Sequence, residues 1–173
     1  MNNGTGSFPP GQTTTLNTGP RGVTFGDLDG DPDFLIPIAS GVTVWRNNGS
    51  GGFTLSSTLA GPISLALGDA DADRDLDLVA ADSAGTSVRL NNGSGLFAAP
   101  VSYGTLSGGA NFLALADIDN DGDLDLTTAT NGPTVALRLN QGTGPLPVEL
   151  AAFTANQNRN VQPAADELGP GCC

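Results

Sequence analysis

Leu113-Ala114-Leu115-Ala116-Asp117-Ile118-Asp119-Asn120-Asp121-Gly122-Asp123-Leu124-Asp125-Leu126 is the stretch on which the fold turns. An apolar run enters a loop with Asp at every second position from 117 to 125, and a second apolar run, Leu124-Asp125-Leu126-Thr127-Thr128, leaves it. Such runs are too short for ordinary helices and are bounded by polar turns, so they read as strands, the second as an inner one. Downstream, Thr134-Val135-Ala136-Leu137-Arg138-Leu139 alternates apolar with polar or small residues. It closes in Asn140-Gln141-Gly142, where Asn and Gly tolerate the positive φ of a tight hairpin. The local grammar is strand, Asp loop, strand, hairpin.

The same grammar occurs twice more upstream. Leu65-Ala66-Leu67-Gly68-Asp69 leads to Leu76–Ala81 and then to Ser87-Val88-Arg89-Leu90-Asn91-Asn92-Gly93-Ser94-Gly95-Leu96-Phe97. Val23-Thr24-Phe25-Gly26-Asp27 leads to Val42-Thr43-Val44-Trp45-Arg46-Asn47-Asn48-Gly49-Ser50-Gly51-Gly52-Phe53. The first Asp of each loop falls at 27, 69 and 117, a spacing that suits four-stranded propeller blades. The sequence therefore predicts an all-β fold of β-propeller blades, with repeats over 16–60, 61–108 and 109–144. Asn2-Asn3-Gly4-Thr5-Gly6-Ser7-Phe8 aligns with 47–53, so 1–15 reads as the end of a preceding repeat. From 145 to 173 the pattern stops, and that part is expected to be a linker and disordered tail. A closed propeller needs at least about four blades, so three repeats imply part of a longer array or closure by association.

Composition narrows the chemistry. In 173 residues there are 25 Gly and 12 Pro, which favours short elements and turns over long helices. The net charge is −12, with six Arg, no Lys and no His. Nucleic acid is thereby a poor partner, and the commonest zinc ligand and general base are missing. The acidic residues are concentrated: four from Asp27 to Asp33, five from Asp69 to Asp77 and five from Asp117 to Asp125, out of 18 Asp and Glu in the chain. The two cysteines, Cys172 and Cys173, are adjacent at the C-terminus and suggest no staple. No apolar run is long enough to insert in a membrane, and the first residues lack the features of a signal peptide.

Alternating carboxylates suit a hard dication of calcium's size, which takes about six to eight oxygens, whereas magnesium tends to keep its waters. In the third loop the expected ligands are Asp117, Asp119, Asp121 and Asp125, with Gly122 at the sharp turn and Asp123 offering its carbonyl. The second loop keeps Asp69, Asp71, Asp73, Asp75 and Asp77, but Arg74 stands in the glycine position, where it should resist positive φ and pair with a neighbouring carboxylate. The first has Asp27, Asp29 and Asp31, then Pro32 for the glycine and Leu35 at the ninth position, and is the weakest of the three. Asp and Gly clusters also make plain polar turns, but three in one register argue for a ligand. An EF-hand fits less well, because its twelfth-position acid is replaced by Thr128, Ala80 and Ile38 and its flanking helices by strands.

The units Gly68-Asp69-Ala70-Asp71-Ala72-Asp73 and Arg89–Phe97 resemble the FG-GAP and VCBS-type repeats of integrin α-subunit propellers and of many secreted bacterial proteins. The resemblance covers about 16 to 144. It implies a seven-bladed propeller in the complete parent, calcium in the hairpin loops, an extracellular or cell-surface address, and a role in adhesion or ligand display. Pro145–Ala155 is similar to the linker that follows such repeats in surface proteins of bacteria with a C-terminal sorting signal.

Three functions compete on the sequence. One is a non-enzymatic calcium-binding scaffold for a protein or glycan ligand, able to self-associate through open blade edges. The second is an accessory repeat region of an exported hydrolase or lyase whose catalytic domain is absent. A free-standing calcium buffer is the third, but a buffer needs no strand repeats. Without His or Lys, acid–base chemistry would fall to carboxylates already spaced as ligands, so catalysis is not expected. Trp45, Arg46, Arg89 and Arg138 sit at related places in the strands and are expected to mark blade faces and packing rather than a ligand surface.

Overall fold

Apolar alternation in each repeat resolves into antiparallel strands in the computed structural model of the chain, which describes residues 6, 11, 13–16, 19–61, 64–104, 109–140 and 150–153. Twelve strands form three four-stranded sheets, and no helix occurs among the described residues. The first sheet is β1 (Thr24–Asp27), β2 (Pro32–Ile38), β3 (Gly41–Asn47) and β4 (Phe53–Leu59), in that order. The second is β5 (Ser64–Gly68), β6 (Asp77–Asp82), β7 (Gly85–Arg89) and β8 (Val101–Gly104). The third is β9 (Ala110–Ala116), β10 (Asp125–Thr130), β11 (Val135–Arg138) and β12 (Leu150–Phe153). Each is an up-and-down meander, so each repeat is one partial-propeller blade.

One expectation is corrected here. The segment from 145 onward was read as linker, yet Leu150–Phe153 pairs antiparallel with β11, Arg138 opposite Leu150 and Val135 opposite Phe153. The third sheet thus draws its outer strand from the presumed linker. The rest of the expected tail, 145–149 and 154–173, and most of the preceding-repeat remnant, 1–15, lie outside the described residues.

The core lies between sheets. Because side chains alternate across a strand, each inner strand serves two seams. Leu78 of β6 packs against the first sheet, in a cluster with Leu28, Leu35, Val42 and Val44. Its neighbour Val79 points the other way, into a cluster with Ala70, Val88, Tyr103 and Leu126. Leu35, Leu78, Val79 and Leu126 are fully buried. Each such side chain contributes about 1.5–3 kcal/mol relative to exposure. The first strand of each sheet must allow the next sheet close: a Cβ on Gly26 would meet Leu67 Cδ1 at 2.5 Å, and one on Gly68 would meet Leu115 Cδ1 at 2.8 Å. These seams place all three Asp loops, each joining the first two strands of its sheet, in one repeating setting.

Candidate metal centres

Loops two and three share a single hydrogen-bonded design. The first carboxylate folds the loop around itself: Asp73 N and Arg74 N donate to the two oxygens of Asp69 at 3.1 and 2.9 Å, and Asp121 N and Gly122 N do the same to Asp117 at 3.2 and 3.1 Å. The fifth-position carboxylate makes a local turn, Asp73 accepting from Asp75 N at 2.9 Å and Asp121 from Asp123 N at 3.0 Å. Two residues per loop take left-handed φ, Ala72 (66°) and Arg74 (79°) in one, Asn120 (62°) and Gly122 (98°) in the other. Arg74 therefore adopts the conformation it was expected to resist. Nor does it pair with a carboxylate: among the described residues the one ion pair is Arg46–Asp29.

The last carboxylate of each loop braces it to the sheet. Asp77 has no exposed surface and accepts from Ala70 N at 2.8 Å and Asn91 N at 2.7 Å. Asp125, equally buried, accepts from Ile118 N and Asn140 N, both at 2.8 Å. Two N–H donors are needed because a buried carboxylate without partners is costly. Burial still dominates at Asp77, whose carboxyl is pushed up to about 6 against those hydrogen bonds.

The first, third and ninth positions converge. Oxygens of Asp69, Asp71 and Asp77 lie within 4.8 Å of one another, as do those of Asp117, Asp119 and Asp125. Desolvation, followed by repulsion from neighbouring carboxylates, raises the carboxyls of Asp71 and Asp119 although both are exposed. Each set is all oxygen, anionic and uncompensated by an arginine, which fits a hard cation and not a soft one. Asp73 and Asp121, expected as ligands, stand outside these groups of three, occupied with their own turns. Asp75 lies against the backbone of Gly93, whose Cβ would meet its Oδ2 at 2.6 Å.

Loop one is built differently from its sequence reading. Asp33, not Leu35, occupies the ninth position: it is fully buried and accepts from Leu28 N at 3.3 Å and Asn47 N at 2.8 Å, the same two donors in the same places. Burial raises its carboxyl as well. The loop is two residues shorter, which shifts every later position. Asp31 thereby matches Asp75, facing the backbone of Gly49 as Asp75 faces Gly93. Asp27 turns back on Asp29 N and Gly30 N, and Asp29 pairs with Arg46 at 3.2 Å. No group of three converging carboxylates forms here among the described residues, and Arg46 supplies positive charge from within the chain.

Two asparagines beyond the Asp loops tie the sheets together. Asn91 Nδ2 donates to the carbonyl of Leu28 in the preceding sheet, and Asn140 Nδ2 to that of Ala70, both at 3.1 Å and both buried. Each residue reached in this way also donates its backbone N–H to that sheet's buried Asp, so one polar thread crosses both seams. The sequence signal is the Asn at 47, 91 and 140, at the end of the third strand or two residues past it, which local pattern reads only as a turn. The arginines also sort differently: opposite Phe34, Leu78 and Leu126 stand Trp45, Arg89 and Arg138, so Arg46 belongs one position later. Arg138 is buried, lies over the Tyr103 ring at 5.6 Å from its centroid, and donates to Gly104 O.

The profile of the FG-GAP-like repeat matches residues 29–80 and again 69–128, more than half of the chain. The chain belongs to the FG-GAP-like repeat family. Each FG-GAP match runs from one Asp loop through the loop and inner strand of the next sheet, so the conserved unit recognised in this chain spans a seam rather than a single blade. No curated protein matches the chain. FG-GAP-like repeats are in general non-catalytic modules typical of extracellular proteins, and their loops often bind calcium. No helix among the described residues is long and apolar enough to cross a membrane.

Proposed function

We propose that this FG-GAP-like chain is a calcium-stabilised repeat module of a secreted or cell-surface protein, a rigid scaffold for adhesion to a protein or glycan rather than an enzyme. The observation that carries the reading is the convergence of carboxylate oxygens within 4.8 Å in two successive loops of one design. Asp69, Asp71 and Asp77 would hold one ion; Asp117, Asp119 and Asp125 would hold another. Calcium suits them because the ligands come from flexible loop side chains, and backbone oxygens and water can complete a shell of about six to eight. Bound there, the ion neutralises carboxylates that otherwise repel and fixes the loops at one end of the sheets. Loop one, with Arg46 in place, needs no ion for this.

Calorimetric titration of metal-stripped protein with calcium, in millimolar magnesium, tests the reading. Two binding events and a rise in melting temperature are expected, because a ligand held only by the folded form stabilises it. Asp117→Ala should remove one event and Asp69→Ala the other, while Asp27→Ala should remove none. Absence of both heat and thermal shift would refute calcium binding.

A further inference from the structure

Each seam joins two recurring surfaces. Toward the following sheet, a blade offers the residue after its first Asp and one cross-strand pair from its central strands. In the first blade these are Leu28 and the pair Leu35–Val44; in the second, Ala70 and the pair Val79–Val88. Toward the preceding sheet, a blade offers a pair from its first two strands, Leu67–Leu78 in the second and Leu115–Leu126 in the third, and the second blade adds Phe97.

Carried to the two ends of the array, the same register identifies two faces against which no sheet packs among the described residues, although Thr14 lines a hollow with Phe34, Gly51 and Phe53 on the first. On the third sheet it selects Ile118 and the pair Thr127–Leu137. Ile118 is 45% exposed, where Leu28 and Ala70 are 2% and 3%. On the first sheet it selects Phe25 opposite Phe34, with Phe53 in the place of Phe97. Phe25 is 64% exposed, and the rings pack tilted against one another, Phe34 standing 5.9 Å from Phe25 and 4.6 Å from Phe53. The polar thread is open at the same two places. Asn47 is partly exposed where Asn91 and Asn140 are buried, and its Nδ2 donates to no described residue, while Ile118 carries the carbonyl matching those of Leu28 and Ala70.

We propose that these faces are the two halves of one further seam and that a second copy of this chain joins them head to tail, closing a ring of six sheets. The surfaces differ from each other, so the contact is heterologous and must either close or run on as a filament. Two copies of the three described sheets give six, inside the range of about four to eight that propellers adopt though one short of the seven that the family resemblance implies, whereas three copies would exceed it. The new seam trades volumes. Ala116 replaces the glycine of the existing seams and Phe25 replaces their leucine, which asks for more room. Pro32 provides it by standing where Leu76 and Leu124 close on Gly26 and Gly68, near enough that a Cβ there would meet their Cδ1 atoms at 2.9 and 2.7 Å.

Sedimentation velocity on the purified full chain, from low to high micromolar and both with calcium and with chelator, tests this. In calcium the mass should rise with concentration from 17.3 kDa to twice that value. Phe25→Asp and Thr127→Arg alter opposite faces, and each alone should weaken association at least tenfold while leaving the strand circular dichroism unchanged. Mixed together they should associate again, since each carries the intact face the other lacks. A chain that stays monomeric throughout, a dimer indifferent to both substitutions, or a mixture that fails to associate would each overturn the proposal. If a variant does not fold, the concentration dependence of the unaltered chain still decides. A monomer that shows the calcium heat would sink this inference and leave the calcium reading standing.

Discussion

Replacing Asp71 by Asn should move stability in opposite directions with and without calcium. Its carboxylate lies within 4.8 Å of those of Asp69 and Asp77. Two unit charges at that separation repel by about 0.9 kcal/mol in water and about 3.5 kcal/mol at an effective dielectric of about 20. Asp71 is exposed, so solvent screening holds each pair near the lower value. Two neighbours then give roughly 1–2 kcal/mol of strain that the amide relieves in metal-free protein. At about 2–4 °C per kcal/mol for a chain of this size, Asp71→Asn should melt a few degrees higher in chelator. With calcium at about a hundred times its dissociation constant, the unaltered site gains about 2.7 kcal/mol. Loss of one anionic ligand, weakening binding about a hundredfold, removes about 2.3 kcal/mol of that gain, more than the relief in chelator. Differential scanning calorimetry at pH 7.5, in chelator and in calcium, should therefore show the order of the two proteins reverse. A variant less stable in both conditions, or one with an undiminished calcium shift, would refute the account of these carboxylates as a mutually repelling cation set.

Further outcomes follow from the braces and seams. The Asp77 carboxyl stands at about 6 in the fold against 3.8 unfolded, so between about pH 4 and 6 the folded state binds the extra proton. Metal-free stability should accordingly fall as pH rises through that window, and calcium affinity of the second loop should fall as pH drops through about 6, both readable by urea denaturation and titration across pH. Asn91→Ala removes the hydrogen bond to Leu28 O and should cost about 1–3 kcal/mol while leaving the calcium-induced shift intact, with faster amide exchange on the first sheet as the local sign. Ala72→Asn places in loop two the residue that loop three uses at the same left-handed position. It should stabilise by about 0.5–1 kcal/mol in chemical denaturation, and a loss of stability would count against the shared loop backbone.

Most of the architecture was legible because period-two alternation and Asn-Gly turns are local signals. Leu76–Ala81 and Leu124–Thr128 were placed as inner strands, and β6 and β10 hold those places. What escaped was long-range or out of frame. Strand β12 enters the third sheet through backbone pairing with β11, which a short Pro-containing segment does not advertise. Counting positions by sequence put Leu35 where Asp33 stands, because a two-residue shortening is invisible to a fixed frame and obvious once Leu28 N and Asn47 N are seen to share one acceptor. The Asn thread joins residues 63 and 70 apart, beyond any window of local pattern. Arg74 was misjudged since conformational preference is a small energy that two hydrogen bonds to Asp69 outweigh in loop two.

The brace made by Asp33, Asp77 and Asp125 has a consequence for how such arrays diverge. It ties each loop to its sheet through backbone donors alone, so although Asp77 and Asp125 also belong to the converging carboxylate groups, the brace itself depends on no ion. Loop one illustrates the separation: shortened and with an arginine at its mouth, it still holds the same two N–H groups on the same carboxylate. Such repeats can therefore lose or regain their converging carboxylates one blade at a time while every unit keeps the same outline.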